Sequence, residues 1–355
     1  MIIVLKIACS GMTAGIYFSS KSKKQGFSIV MISMAYALSS YMVGYCWNVM
    51  WLDAIMIFPI IMMGLERLIE KKDGRLYCIA LFYALYCNYY IAFMICIFAV
   101  IWYLLYSFKS IKQFFFRGRA FAFYSFLAAG MAAILLIPAY MGIKQTASGE
   151  TMQLPEHSFL TSVADLLNRQ FALWSPISHD NFDGNANLYI GIFSVLAVGL
   201  YVLNGEIKVS EKIKKVLLIG LFYLSFSEMI LNFIWHGFHD QYGIPNRFSF
   251  LFGFVLLYML WEVFEHLEGV KGWHAAFACM AGVALMAYAK LKGTQVLEDN
   301  VYGVAGMLLL LYGMLLFFYT LSCKRKYIYK FIFCVVAVIE IIVTAFMGFN
   351  EKGQI

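Results

Sequence analysis

Charge is what this sequence has least of. Of 355 residues, 27 are lysine or arginine and 20 aspartate or glutamate, so 13% are charged against 63% hydrophobic. A soluble domain carries about 25% charged residues. The shortfall, with a mean hydropathy of +0.77, excludes an ordinary soluble fold, and no separate soluble domain is visible along the chain. Other absences narrow the chemistry. The eight cysteines form no CxxC pair and no cluster, which leaves them as small apolar fillers of helical segments. There is no Gly-rich phosphate loop, no GxSxG and no repeat of fixed period, so nucleotide-cradling and nucleophile-elbow chemistry lack their sequence signatures.

Apolar sequence is what the chain has in abundance. Runs long enough to cross a hydrocarbon core of about 30 Å recur from end to end, and helices are the spanning solution for runs that do not alternate. The spans read as 2–18, 27–44, 54–69, 76–87, 91–108, 120–141, 188–203, 216–235, 248–267, 273–289, 301–321 and 331–349. The expectation is an all-α polytopic transmembrane bundle of about 12 segments, a single membrane-embedded domain over residues 1–355. The fourth segment falls short of the roughly 20 residues a span needs. With the fifth it suggests a shallow hairpin, with Asn88, Tyr89 and Tyr90 at its tip.

Lysine and arginine set the orientation. Twenty of the 27 basic residues lie in KSKK (21–24), ERLIEKKDGR (66–75), KSIKQFFFRGR (109–119), EIKVSEKIKK (206–215), Lys271 and KRKYIYK (324–330). These are alternate loops, and the positive-inside rule makes them cytoplasmic, including the basic loop at 205–215. Both termini and the long loop 142–187 then fall outside the cell. The net charge of +7 reports this topology and contact with anionic inner-leaflet lipids, not a nucleic-acid partner. An outward N-terminus without a preceding signal suggests a helix upstream of Met1. The final NEKGQI, emerging outside, suggests truncation at that end as well.

Polar residues gather at the outer helix ends. WNVMWLD sets Trp47, Asn48, Trp51 and Asp53 at the mouth of the third span. Tryptophans are interface residues in any membrane protein, and an acid there either caps the helix or acts on a ligand. CNYYIAF places Asn88, Tyr89 and Tyr90 between helices. The amide satisfies freed backbone groups, or the three line a sugar or headgroup site. WHGFHDQYGIPNRFSF crowds His236, His239, Asp240, Asn246 and Arg247 into a short outer loop. Arg247 breaks the inside bias, and its planar fork fits phosphate oxygens; snorkelling to lipid phosphates is the plainer reading. His236, His239 and Asp240 are a partial divalent-cation set, too few ligands to establish a metal, so none is assigned.

The loop 142–187 holds Asp180, Asp183, Asn185 and Asn187, with an amphipathic stretch at 161–174 that suits a lid or simple packing. Glu228 and Glu340 stand within apolar segments, where acids are functional candidates. A transporter or lipid-carrier flippase would use them to bind a coupling ion.

The W-N-x-M-W-L-D, N-Y-Y-I and R-F-S-F patterns, read at Trp47–Asp53, Asn88–Ile91 and Arg247–Phe250, resemble the bacterial membrane protein family YfhO. The similarity covers residues 1 to about 260. It implies a GT-C type polytopic glycosyltransferase that takes a sugar from a polyprenyl-phosphate carrier and transfers it, outside the cell, to a surface polymer such as lipoteichoic acid of Gram-positive bacteria. Such enzymes place a catalytic acid in their first outer loop, which this chain begins just past; an inactive fragment or an assembly partner is therefore a further alternative. Within the chain, Asp53 matches the family motif and is the candidate catalytic residue, as a substitute base or as the group that orients the acceptor. Trp47, Asn48, Trp51, Asn88, Tyr89, Tyr90, His236 and Arg247 match family motifs, and His239, Asp240, Asn246 and Glu228 join them as substrate-binding candidates. No nucleotide cofactor is implied, since the donor is lipid-linked, and a divalent cation is left open.

Overall fold

The computed structural model describes residues 1–23, 26–145, 154–178, 185–239, 243–322 and 324–351. The first half runs α1 (Ile2–Lys21), α2 (Phe27–Ala37), α3 (Ser40–Tyr45), α4 (Val49–Lys71), α5 (Arg75–Cys87), α6 (Tyr89–Leu105), α7 (Ile111–Met131) and α8 (Ala133–Ile143). A short helix in the long loop, α9 (Val163–Gln170), is followed by α10 (Phe193–Leu203), α11 (Val209–Ser227), α12 (Met229–Trp235) and α13 (Ser249–Glu265). The chain closes with α14 (Gly272–Lys292), α15 (Asp299–Leu321) and α16 (Lys326–Glu351). Among the described residues there is no strand, only an isolated antiparallel bridge between Phe159 and Glu228.

All twelve apolar segments contain helix, but fewer meet the length of a full span. Six do: Ile2–Lys21, Phe27–Tyr45, Val49–Lys71, Gly272–Lys292, Asp299–Leu321 and Lys326–Asn350. A seventh forms if α7 and α8, bent by 76°, are one span. The expected count fails where helices are short or interrupted. At 13 residues, α5 rises only about 20 Å, in keeping with a shallow hairpin, and the segment at 216–235 divides at Glu228 into α11 and α12.

The core is built around α13, which buries 14 of its 17 residues. Phe254 is fully buried there, its ring 4.8 Å from Phe58, 5.3 Å from Tyr17 and 5.9 Å from Phe18 by centroid. Three elements far apart in sequence are thereby joined at one ring, each aromatic pair adding about 0.5–1.5 kcal/mol beyond its area burial. The crossing of α4 and α5 depends on Gly64: a Cβ there would stand 2.4 Å from the Tyr77 amide nitrogen, so only glycine permits that approach.

Interruptions leave backbone groups without helical partners, and polar side chains supply them. Asn88 Oδ1 accepts from Ile91 N at 2.9 Å and caps α6. Glu228 Oε2 accepts from Leu231 N at 2.8 Å and caps α12. Asn187 takes both ends of Ile177, Oδ1 accepting from its N–H and Nδ2 donating to its carbonyl, each at 2.9 Å. Glu340 Oε1 accepts from Ile192 N at 2.6 Å and from the Tyr189 hydroxyl at 2.7 Å, while Tyr312 donates to Oε2. Both acids of the coupling-ion reading thus have structural duties, and Glu228 lies at a helix break, not within a span.

The amphipathic stretch of the long loop forms α9, which docks on the turn between α14 and α15. Asp165 accepts from Thr294 N at 2.7 Å, Gln295 N at 2.9 Å and the Thr294 hydroxyl at 3.0 Å. Asn168 Nδ2 donates to the carbonyls of Ala289 and Gln295. Asn185 reaches Gln295 through its side-chain amide, whereas Asp180 and Asp183 lie outside the described residues. Burial pushes the Asp165 carboxyl up, but the Gln295 and Thr294 amides and the Ser162 and Thr294 hydroxyls outweigh it and hold the group below the usual carboxylate range.

A group depressed in this way stabilises the fold fully above its unfolded value of about 3.9 and loses that contribution as pH falls through the lower folded value. Asp165→Asn is therefore expected to loosen α9 by about 1–3 kcal/mol at neutral pH. Proteolysis of the loop ahead of α9 should accelerate in the variant, and in the wild type only at acidic pH; equal cleavage of both at pH 7 would contradict the assignment. Glu340→Gln puts an amide nitrogen where a carboxyl oxygen accepts from one of three donors and should lower thermal stability by about 1–3 kcal/mol, measured as the unfolding midpoint in detergent.

Candidate functional site

Between Ser225 and Arg247 the chain turns from apolar helix to polar loop. Glu228, Asn232 and His236 recur every four residues along α12 and its two caps, and such a spacing places them on one face. That face is turned inwards: Asn232 and His236 are fully buried, and Glu228 is 9% exposed. Asn232 Nδ2 donates to the Ser225 carbonyl at 3.2 Å and to Asn246 Oδ1 at 2.5 Å, which ties α12 to the loop after it.

His236 shows its tautomer by its partner. Nδ1 lies 2.7 Å from the Asn232 carbonyl oxygen, an atom that can only accept, so Nδ1 carries the proton and Nε2 is a bare lone pair. Burial, strongest among the causes, and the nearby Arg247 push the imidazole down to about 3. His236 is therefore neutral at physiological pH. Among the described residues its Nε2 has no partner, and neither have Glu228 Oε1, Asn232 Oδ1 or the hydroxyls of Ser225, Ser227 and Ser249. A buried polar atom left unbonded costs about 1–3 kcal/mol, and here several collect around one short helix.

The loop itself holds an unusual backbone. Gly237, Phe238, Gly243 and Asn246 all take positive φ, at 78°, 64°, 90° and 63°. Glycine and asparagine tolerate this region, but a bulky phenylalanine does so only under constraint, at a cost of order 1–3 kcal/mol. Asn246 in this conformation turns the chain so that Arg247 heads back over the aromatic residues.

Arg247 is fixed from three sides. Its Nε donates to the Ile244 carbonyl at 2.9 Å, and its own carbonyl accepts from the Tyr41 hydroxyl at 2.7 Å. The guanidinium carbon stands 5.1 Å from the Tyr90 ring centroid and 5.5 Å from that of Trp51, both within cation–π range. Tyr90 also stacks on His239, 5.6 Å away with planes 23° apart, and its centroid is 6.2 Å from that of His236. The structure thus unites Trp51, Tyr90, His236, His239, Asn246 and Arg247. A planar cation held beside a neutral imidazole lone pair suits an oxyanion flanked by hydroxyls.

The remaining candidates sit elsewhere. Trp47 is exposed and Asn48 half-buried at the start of α4, with no side-chain cap from Asn48. Asp53 is not the cap either, for it stands in the second turn. Its Oδ2 accepts from Lys6 Nζ at 2.6 Å, and the same ammonium donates to the Val49 carbonyl at 3.2 Å. Two residues along a helix turn through about 200°, so Trp51 faces Arg247 while Asp53 faces α1. Asn88 uses its side-chain oxygen as a helix cap, and Tyr89 is half-buried beside it. Asp240 lies outside the described residues. Among those described, no three His, Cys, Asp or Glu side chains are placed to hold a metal ion.

The sequence reading missed Asn232, which links the helix to the loop. Its signal was present in S-E-M-I-L-N-F-I-W-H, where polar residues four apart interrupt an apolar stretch. Tyr41, which supports Arg247 from 206 residues away in the chain, left no such local signal.

Neither a curated protein nor a solved structure matches the chain. A family model described as bacterial membrane protein YfhO matches residues 1–355, so the similarity extends through the last third, beyond the motifs read near residue 260. The match runs the whole length of a helical bundle whose conspicuous polar cluster contains the N-Y-Y-I tyrosine and the R-F-S-F arginine, and the chain belongs to the YfhO family of bacterial membrane proteins.

Proposed function

We propose that this multi-pass membrane protein is a GT-C type glycosyltransferase. In this reading it takes a sugar from a polyprenyl-phosphate carrier and glycosylates a cell-surface polymer, such as lipoteichoic acid, on the outer face of the bacterial cell membrane. The observation that carries the reading is the Arg247 guanidinium set between Trp51 and Tyr90, with the buried His236 imidazole centred 6.2 Å from the same Tyr90 ring. The lysine-rich ends of α1 and α4 lie at the opposite end of the bundle, which supports an outward-facing Arg247.

The chemistry follows from the groups present. Arg247 holds the carrier phosphate through its fork, and the bare His236 Nε2 accepts a hydrogen bond from a sugar hydroxyl. An acceptor hydroxyl forms the new bond to the anomeric carbon as the bond from that carbon to the phosphate oxygen breaks. The phosphate leaves with the electron pair, and its growing charge meets a cation fixed in advance. The proton goes to a carboxylate, and Glu228 Oε1 is the better placed, being without a partner among the described residues and on the face that carries His236. Asp53, the base suggested by the sequence, is joined to Lys6 on the opposite side of α4, which favours a role in holding α1 against α4. A coupling-ion transporter would need Glu340 free, and it already accepts from Ile192, Tyr189 and Tyr312.

Sugar transfer from a polyprenyl-phosphate-linked donor in vesicles tests the reading. Arg247→Ala should lower transfer about 100- to 1,000-fold, with Arg247→Lys intermediate because the point charge stays and the fork is lost. Glu228→Gln keeps an oxygen to cap α12 and should lower kcat by about 100-fold or more. Asp53→Asn is expected to stay within about tenfold of wild type, since exposed or half-exposed ion pairs contribute little. Undiminished transfer by Arg247→Ala would overturn the proposal.

A further inference from the structure

Beside the break between α11 and α12 lies a second concavity, separate from the Arg247 cluster. The chain at Phe159 runs antiparallel to the break: Leu160 N donates to the Ser227 carbonyl at 2.7 Å and Met229 N to the Ser158 carbonyl at 3.0 Å. This strap, the start of α9, the end of α11 and the turn at Thr294 and Gln295 enclose a cleft of about 770 Å³. The volume falls within the roughly 300–1,000 Å³ of small-molecule sites.

Its lining has a consistent chemistry. Thr161, Ser162, Ser227 and Gln295 contribute hydroxyls and an amide, and Phe159 and Tyr223 contribute rings. Ser227 is 5% exposed, and its hydroxyl has no hydrogen-bond partner among the described residues. The Phe159 ring is 68% exposed, held edge-on by His157 at 5.4 Å. Asp165 is the one charged residue among those lining the cleft, and its carboxylate is already committed to Thr294, Gln295 and Ser162. No lysine or arginine lines it among the described residues, so a polyanion finds no counter-charge.

The cleft stands next to the proposed site of transfer. Ser227 lines it, and Glu228, the next residue, turns its carboxylate to the Leu231 amide at the start of α12, the helix that carries Asn232 and leads to His236.

We propose that this cleft is a docking site for a neutral saccharide unit of the acceptor, with the exposed Phe159 ring stacked on a pyranose face and the Ser227 hydroxyl and Gln295 amide bonded to its hydroxyls. The inference rests on the glycosyltransferase reading for its purpose but not for its binding chemistry. The two can therefore fail independently.

Binding is measured first, on the full chain in nanodiscs, by saturation-transfer NMR with maltotriose as the neutral probe and oligomeric glycerol phosphate as the anionic one. Maltotriose should bind, and Phe159→Ala, a change at an exposed ring, should weaken it about tenfold; Arg247→Ala should leave it unchanged. In the transfer assay, Phe159→Ala should raise the acceptor KM by a similar factor with kcat and the donor KM unaltered. Absence of maltotriose binding, binding insensitive to Phe159→Ala, or preference for the anionic probe would each overturn the cleft assignment. If maltotriose binds as described while the wild type transfers no sugar, the cleft stands and the glycosyltransferase reading falls.

Discussion

A helix that breaks inside an apolar bundle leaves amide and carbonyl groups with no water to bond, and each must find a partner within the protein. The rest of this structure depends on how that requirement is met. Asn88, Asn187, Glu228 and Glu340 each place a side-chain oxygen on an otherwise stranded backbone N–H. Asp165 does the same for the turn on which the loop helix docks, and Asn168 donates its side-chain amide to the Ala289 carbonyl there. These residues give the long loop and the short helices fixed positions in a chain with few charges. They also divide the buried polar atoms into two classes, those committed to the backbone and those left over.

Among the described residues, five of the twelve buried side-chain atoms without a partner, Nε2 of His236, Oε1 of Glu228, Oδ1 of Asn232 and the hydroxyls of Ser225 and Ser227, belong to one seven-residue helix, its caps and the end of α11; the others are spread over Ser40, Tyr90, Arg117, Arg169, Ser178 and Ser249. The strained backbone lies in the adjoining loop, at Phe238. Unbonded polar atoms and unfavourable φ angles both raise the energy of the folded chain. Their coincidence beside a cation clasped by Trp51 and Tyr90 is the physical reason to place ligand chemistry at this end of the bundle.

How much of this was legible in the sequence varies with how local the cause is. Apolar runs mark helices directly, so the all-α membrane architecture and the short α5, parted from α6 at Asn88, could be read from hydropathy and length. The crowding of His236, His239, Asn246 and Arg247 into one loop was likewise visible. Helix interruptions were not: the break at Glu228 occurs because its carboxylate caps α12 and because the strap at Phe159 pairs with it, and the strap lies about 70 residues away. The split of the W-L-D motif followed from rotation about α4, which a linear pattern hides until the partners of each face are known. Lys6 could be recognised as the partner of Asp53 only once α1 was laid against α4.

The central claim is that Arg247 holds the phosphate of a lipid carrier. Its most direct test is the affinity of the full chain in nanodiscs for polyprenyl monophosphate, wild type against Arg247→Gln, a shorter polar variant that removes the charge. Loss of the charge-assisted contact to phosphate should weaken binding about tenfold or more, measured at a temperature at which both proteins are fully folded. Equal affinity in the two proteins would contradict the account.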